Sequence, residues 1–212
     1  MIIEELNVDE HNIDKVANLI YYVDEKTYFY IFKSEKKAVS AIKRLLLSES
    51  NFIKENNVKN NNKRINLFVI LDNGENKNII GILGINKGKK ENFSKSLLYM
   101  FKLLNPWDAV RFSMMFFIDN KILATVDEDD FYLAEIVVDE AQRGKGLGSE
   151  IINKMIDLAK SEGFKRVVLD VDFTNDRAKK LYKSLGFKKF NEKSFKVFSK
   201  ERGMHNMEYV LE

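Results

Sequence analysis

The chain has 212 residues and a mass of 24.8 kDa, with 45% hydrophobic and 12% aromatic residues, enough apolar material for one folded domain spanning 1–212. Without cysteine there are no disulfides, thiolate zinc sites or thiol nucleophile, and two histidines, His11 and His205, are too few for a histidine metal centre or a Ser/His/Asp triad, so no metal is expected. Thirty-five basic against thirty-two acidic residues is too balanced for a nucleic-acid footprint, and no apolar run nears the roughly 20 residues that span a bilayer, so a cytoplasmic protein with neither nucleic-acid nor membrane partners is expected.

Met1 to Leu6 lacks the basic region of a signal peptide and reads as a short strand from Ile2. A helix from about Ile13 follows, with Ile13, Val16, Ile20 and Tyr21 on one face, and a second helix at about Lys37 to Ile53. Asn56 to Lys63 is polar and reads as a surface loop. Ile65 to Leu71 and Ile79 to Ile85 bracket Asp72-Asn73-Gly74, the signal of an antiparallel hairpin.

Residues 88 to 126 form an insert that reads as helix, break, helix. Leu97, Leu98, Phe101 and Leu104 make one stripe, and Asn105-Pro106-Trp107-Asp108 has the pattern of a capped helix start. Leu97 to Ile118 suits core packing or a lid more simply than a partner-binding hairpin.

Phe131 to Val138 reads as a strand that runs straight into Gln142-Arg143-Gly144-Lys145-Gly146-Leu147-Gly148. The next helix has an apolar stripe at Leu147, Ile151, Met155 and Leu158, and Gly163 stops it. Strand, glycine turn and helix start make an anion seat, because close backbone approach and unsatisfied first-turn N–H groups coincide. Arg143 and Lys145 add positive charge. The spacing fits neither the P-loop nor the dinucleotide fingerprint; taken alone, the glycines also suit a plain tight turn. A further strand at Val167 to Val171 leads to Asn175, placed to cap a helix whose inward face carries Ala178, Leu181, Tyr182 and Leu185 and which ends at Gly186.

Together these segments resemble the GNAT superfamily of acyl-CoA-dependent N-acetyltransferases. Val138 followed by Arg143-x-x-Gly146-x-Gly148 is similar to its acyl-CoA motif. Asn175, Ala178, Leu181-Tyr182 and Gly186-Phe187 are similar to its second signature. The resemblance implies an α/β fold with a mixed, mostly antiparallel sheet flanked by helices, here with a helical insert between the third and fourth strands. It implies acetyl-CoA as acyl donor, lying in a cleft where the strand ending at Val138 diverges from the strand ending near Val171. By the same resemblance, backbone at Ile136, Val137 and Val138 meets the acetyl carbonyl, and amides of Arg143, Gly144, Lys145, Gly146, Leu147, Gly148 and Ser149 hold the pyrophosphate. Asn175 touches the pantetheine side, and Tyr182 sits near the sulfur.

With no cysteine, an acceptor amine attacks the bound thioester directly in a ternary complex. Tyr182 is the expected acid for the departing thiolate; a core tyrosine is the other reading. Glu135, the only charge in Phe131 to Val138, is either the base that takes the amine proton or a solvent-facing alternation site, with Tyr132 a weaker substitute. Asp127 to Asp130 reads as a solvated acidic loop. The acceptor is a small-molecule amine or a peptide, and a homodimer is left open. The reading from another class is a catalytically inactive acyl-CoA sensor or scaffold on the same fold.

Overall fold

A computed structural model describes residues 1–56, 66–88, 93–197 and 200–212. Past Asn56, the expected polar loop lies outside the described residues, as does Ile65. The described residues form a seven-stranded sheet in the order β1-β2-β3-β4-β5-β7-β6, with strands β1 (Ile2–Glu5), β2 (Asn66–Leu71), β3 (Ile79–Lys87), β4 (Asp130–Val138), β5 (Arg166–Asp172), β6 (Lys188–Val197) and β7 (Lys200–Val210). Two compact units divide the residues, Met1–Gly84 with Glu91–Phe116 and Glu135–Ala141 in the first, and Ile85–Lys90 with Phe117–Ala134 and Gln142–Glu212 in the second.

In the first unit, β1 pairs antiparallel with β2 from Ile2↔Leu71 to Glu5↔Phe68. Its helices are α1 (Ile13–Val23), α2 (Glu25–Phe32), α3 (Glu35–Glu55), α4 (Phe93–Leu103) and most of α5 (Pro106–Ile122). Each of the first three starts on a side chain that accepts a first-turn N–H: Asn12 from Lys15, Asp24 from Thr27 and Ser34 from Lys37. Asn105 opens α5 in the same way, accepting the Asp108 N–H at 3.1 Å. The core interlocks Val16, Ala17 and Ile20 of α1 with Phe32, Ala38, Ile42, Ala109, Phe112 and strand residues Val69, Ile82 and Val137. Helix α2 was not expected, and α3 begins at Glu35 rather than at about Lys37.

In the second unit, β4 and β5 run parallel from Asp130↔Arg166 to Leu133↔Leu169, and β5 then pairs antiparallel with β7. Strand β6 pairs antiparallel with β7, with a register shift between Lys189 and Asn191. Helix α6 (Leu147–Ser161) joins β4 to β5, and α7 (Asp176–Ser184) follows β5. The parallel β4–β5 pair among antiparallel neighbours, the flanking helices, and α4 and α5 between the third and fourth strands are the architecture the sequence implied. Strands β6 and β7 were not anticipated.

The insert is pinched at its base. Gly88, at φ +62°, lies so close to Glu128 that an added Cβ would sit 2.1 Å from the Glu128 carbonyl oxygen, a position only glycine fills.

Candidate active site

Strand β4 ends in Glu135, Ile136, Val137 and Val138. Val137 is buried in the first unit's core, and the other three are half-buried. Gly81 of β3 lets the neighbouring backbone close in, since a Cβ there would meet the Val137 carbonyl oxygen at 2.5 Å. Immediately beyond, Asp139 forms an ion pair with Lys15 of α1, and its N–H donates to the Ile80 carbonyl at 2.8 Å. The end of the strand is therefore fixed by main-chain and side-chain bonds before the chain turns.

A single 3-10 turn, Glu140–Gln142, leads into the glycine segment. Arg143, Gly144, Lys145 and Gly146 are exposed, while Leu147, Gly148 and Ser149 are half-buried. Gly144 and Gly146 adopt φ of +82° and +78° with nothing within 4 Å of a built Cβ, so the turn needs glycine for its backbone and leaves open space beside it. Gly146 begins α6 with no side-chain cap. The Glu150 N–H reaches the Gly146 carbonyl at 3.1 Å, and the N–H groups of the first turn are left for another acceptor. The Lys145 ammonium donates to Gln142 at 2.7 Å. Gly148 matters for packing instead. A Cβ there would come within 3.3 Å of Leu181, so its small size lets α6 and α7 approach.

That contact brings the second signature beside the first. Asn175 caps α7 by accepting the Ala178 N–H at 3.0 Å, and its own N–H donates to the Asp172 carbonyl. Tyr182 is the one buried residue of α7. Its ring lies 6.0 Å from that of Phe187, and burial pushes its hydroxyl up to about 12. The inward orientation expected from the helical period is the one observed.

One acidic expectation needs correction. Asp130 is not part of a solvated loop; it opens β4, is 3% exposed on its side chain and accepts from the Arg166 guanidinium at 2.6 Å. Asp127, Glu128 and Asp129 are exposed as expected. Tyr132, the substitute base, is buried and donates its hydroxyl to Asp170 Oδ2 at 2.7 Å, so that hydroxyl is already committed.

Asp170 itself went unread in the sequence. It also accepts from the Ala124 N–H and from Asn206 Nδ2. Burial pushes its carboxyl above the ordinary range, against the pull of these donors and of Lys193. Its signal was a lone acid in an otherwise apolar run, the same signal that singled out Glu135. A cavity of about 810 Å³ in the first unit, lined by residues of α1, α2 and α3 including Asp14, Asn18 and Lys43, includes none of the motif residues.

The Acetyltransferase (GNAT) family model matches residues 26–187. Human N-acetyltransferase 8B is 30% identical over 86 residues, which are 41% of this chain and 38% of that protein, so the chain spans under half the length of the curated relatives it matches. A crystal structure described as an acetyltransferase superposes with a TM-score of 0.56 at 21% identity, covering 100% of both chains. The Bacillus subtilis acetyltransferase in complex with CoA does so with a TM-score of 0.52 at 13% identity, covering 99% of this chain and 97% of that one. With the family model covering most of its length, and with both of its motifs on the turn and helix described above, the chain belongs to the GNAT acetyltransferase family.

Proposed function

We propose that the protein is an N-acetyltransferase that transfers the acetyl group of acetyl-CoA to an amine by direct attack in a ternary complex. The observation that carries this reading is the start of α6, where a helix begins on Gly146 without a side-chain cap and beside open space. A pyrophosphate is the natural acceptor for those N–H groups. The residues fit acetyl-CoA in this respect, and a CoA complex of a similar fold supports the same donor.

Bound acetyl-CoA supplies an activated thioester; the chain's own groups position it and move protons. Amides from Arg143 to Ser149 hold the pyrophosphate, and Asn175, beyond its capping bond, touches the pantetheine. Main-chain N–H groups along Ile136 to Val138 hold the carbonyl oxygen, where preorganised donors act without reorganising. Glu135 accepts the proton of the attacking amine, which is mostly protonated at neutral pH. Tyr182 gives its hydroxyl proton to the sulfur as the C–S bond breaks, and its raised pKa keeps that proton in place over the ordinary working range. A small-molecule amine is the preferred acceptor over a peptide. The chain works as one domain, since β3, β4 and α5 each contribute residues to both units.

The test combines calorimetric binding of acetyl-CoA with release of free CoA across polyamines, aminoglycosides, amino acids and peptide N-termini. Binding with turnover on one class is expected. No binding overturns the reading, and binding without turnover on any amine replaces it with the inactive sensor.

A further inference from the structure

Helix α5 is apolar on both sides, which in a globular chain is the pattern of a helix covered all round. Only one side is covered. Ala109, Phe112, Met115 and Phe116 are buried, whereas Trp107 is 76%, Val110 45%, Met114 40% and Phe117 44% exposed. The outward residues fall at spacings of three, four and three; Phe117 packs edge-on against Phe195 at 5.9 Å, so the uncovered stripe is Trp107, Val110 and Met114, about 10 Å long. Helix α4 repeats the pattern, half-burying Leu97, Tyr99, Met100 and Leu103 while leaving Leu98 66% and Phe101 51% exposed.

The charge on these helices is one-sided. Between Phe93 and Ile122 the sequence has Lys95, Lys102, Arg111 and Lys121 against two acids, Asp108 and Asp119. Asp108 is buried and accepts from Arg44 at 2.5 Å and from Arg111 at 3.4 Å, and Asp119 is half-buried. Among the described residues of α4 and α5, the exposed charges are Lys102 and Lys121. Helix α3 differs, mixing exposed Glu35 and Glu55 with its lysines.

We propose that the outer face of α4 and α5 docks peripherally on an anionic membrane surface, with Leu98, Trp107, Val110 and Met114 in the boundary between headgroups and acyl chains and the lysines at the headgroups. Large apolar and aromatic side chains on one side with lysine beside them are what such a surface takes up. A second copy of the chain fits the charges worse. Antiparallel pairing of α5 sets Lys121 against the positive end of the partner helix, and parallel pairing sets it against its own counterpart, with no exposed acid on these helices to neutralise either. A fluid interface also needs no groove to receive side chains that stand out from a helix. Docking of this kind is distinct from spanning, and among the described residues no helix is long and apolar enough to cross a membrane. The proposal is independent of the acetyl-transfer reading.

Trp107 is the only tryptophan in the sequence, so emission excited selectively from tryptophan reads this face alone. The full chain is titrated with vesicles of phosphatidylcholine and with vesicles in which about one third of the lipid is phosphatidylserine. Emission should shift to the blue and the protein should sediment with the anionic vesicles, with partition favoured roughly tenfold or more over the neutral ones. Val110→Ser/Met114→Ser, which keeps the reporter, should weaken that partition at least about tenfold with unchanged circular dichroism. Quenching of Trp107 by brominated acyl chains tests the wild type independently of any variant. An unshifted emission, absence of quenching, or equal partition into both vesicles overturns the proposal. So does a blue shift that grows with protein concentration without vesicles, which assigns the face to a second copy, or one produced only by an acidic helical peptide, which assigns it to a protein.

Discussion

Helices α6 and α7 both follow a strand of the same sheet, yet they begin in opposite ways. Helix α7 starts on Asn175, whose side chain satisfies a first-turn N–H, and it buries only Tyr182. Helix α6 starts on Gly146 with no such bond and buries Ile151, Ile152, Met155 and Ala159. A cap contributes about 1 kcal/mol, a large share for a helix with one buried side chain and a small one for a helix with four. The better-packed helix can leave its N–H groups open for an anion, and the poorly packed one cannot.

Breaking the open start should have the largest effect. Gly146→Asp puts a carboxylate on the α6 N-terminus at the cost of backbone strain in the left-handed conformation, and acetyl-CoA affinity should fall by about 100-fold or more. Gly146→Asn, which carries the same backbone strain but no charge, should lose far less. Calorimetry on both, with circular dichroism as the folding control, separates charge from shape; equal losses would remove the anion argument.

Tyr182→Phe keeps the ring against Phe187 and removes the hydroxyl alone. Turnover should fall roughly 100-fold with acetyl-CoA affinity little changed. If kcat stays within error of the parent on a working acceptor, Tyr182 is a packing residue only.

Removing the cap of α7 sharpens the comparison from the other side. Asn175→Ala should cost about 1 kcal/mol of stability, read as a lower urea midpoint. An unchanged midpoint would show that α7 does not depend on its cap.

The smallest effect concerns Asp170. Because its folded pKa is raised by burial, the stability tied to its proton is fully present below about pH 4 and is lost as pH rises through the raised value. Asp170→Asn has no such proton to lose. The stability difference, wild type minus variant, should therefore decline as pH rises above about 4 through the raised value and then level off; a difference constant with pH contradicts the assignment.

The motif-bearing half of the chain was legible because its signals are local. The stripe of α6, the cap at Asn175 and the glycines at turns all act within one or two helical turns of sequence, and each appears where it was read, as does the cap at Asn105 in the insert. Helix α2 was missed because Tyr28-Phe29-Tyr30-Ile31 suits strands as well as helices. Strands β6 and β7 escaped because lysines crowd β6 and its register slips between Lys189 and Asn191, which destroys the alternation that marks a strand. The Asp170 cluster joins residues 124, 132, 170 and 206, and no local pattern links positions so far apart. Helix α5 shows the limit from the other direction, since its sequence is apolar around the whole circumference and does not say which half the fold covers.

The position of β7 has a consequence for synthesis. It is made after β5 and β6, yet it lies between them in the sheet. While it is still being translated, β5 offers an uncovered edge and β6 lacks the neighbour it pairs with, so this part of the sheet cannot form in the order of translation. The nascent chain carries two unpaired strand edges until the residues from Lys200 to Val210 emerge and slot between them. Because β6 and β7 pair antiparallel from Val197↔Lys200 outward, the closing step is the docking of that hairpin, through β7, on the open edge of β5, and until then this edge is exposed to pairing with a neighbour on the same polysome.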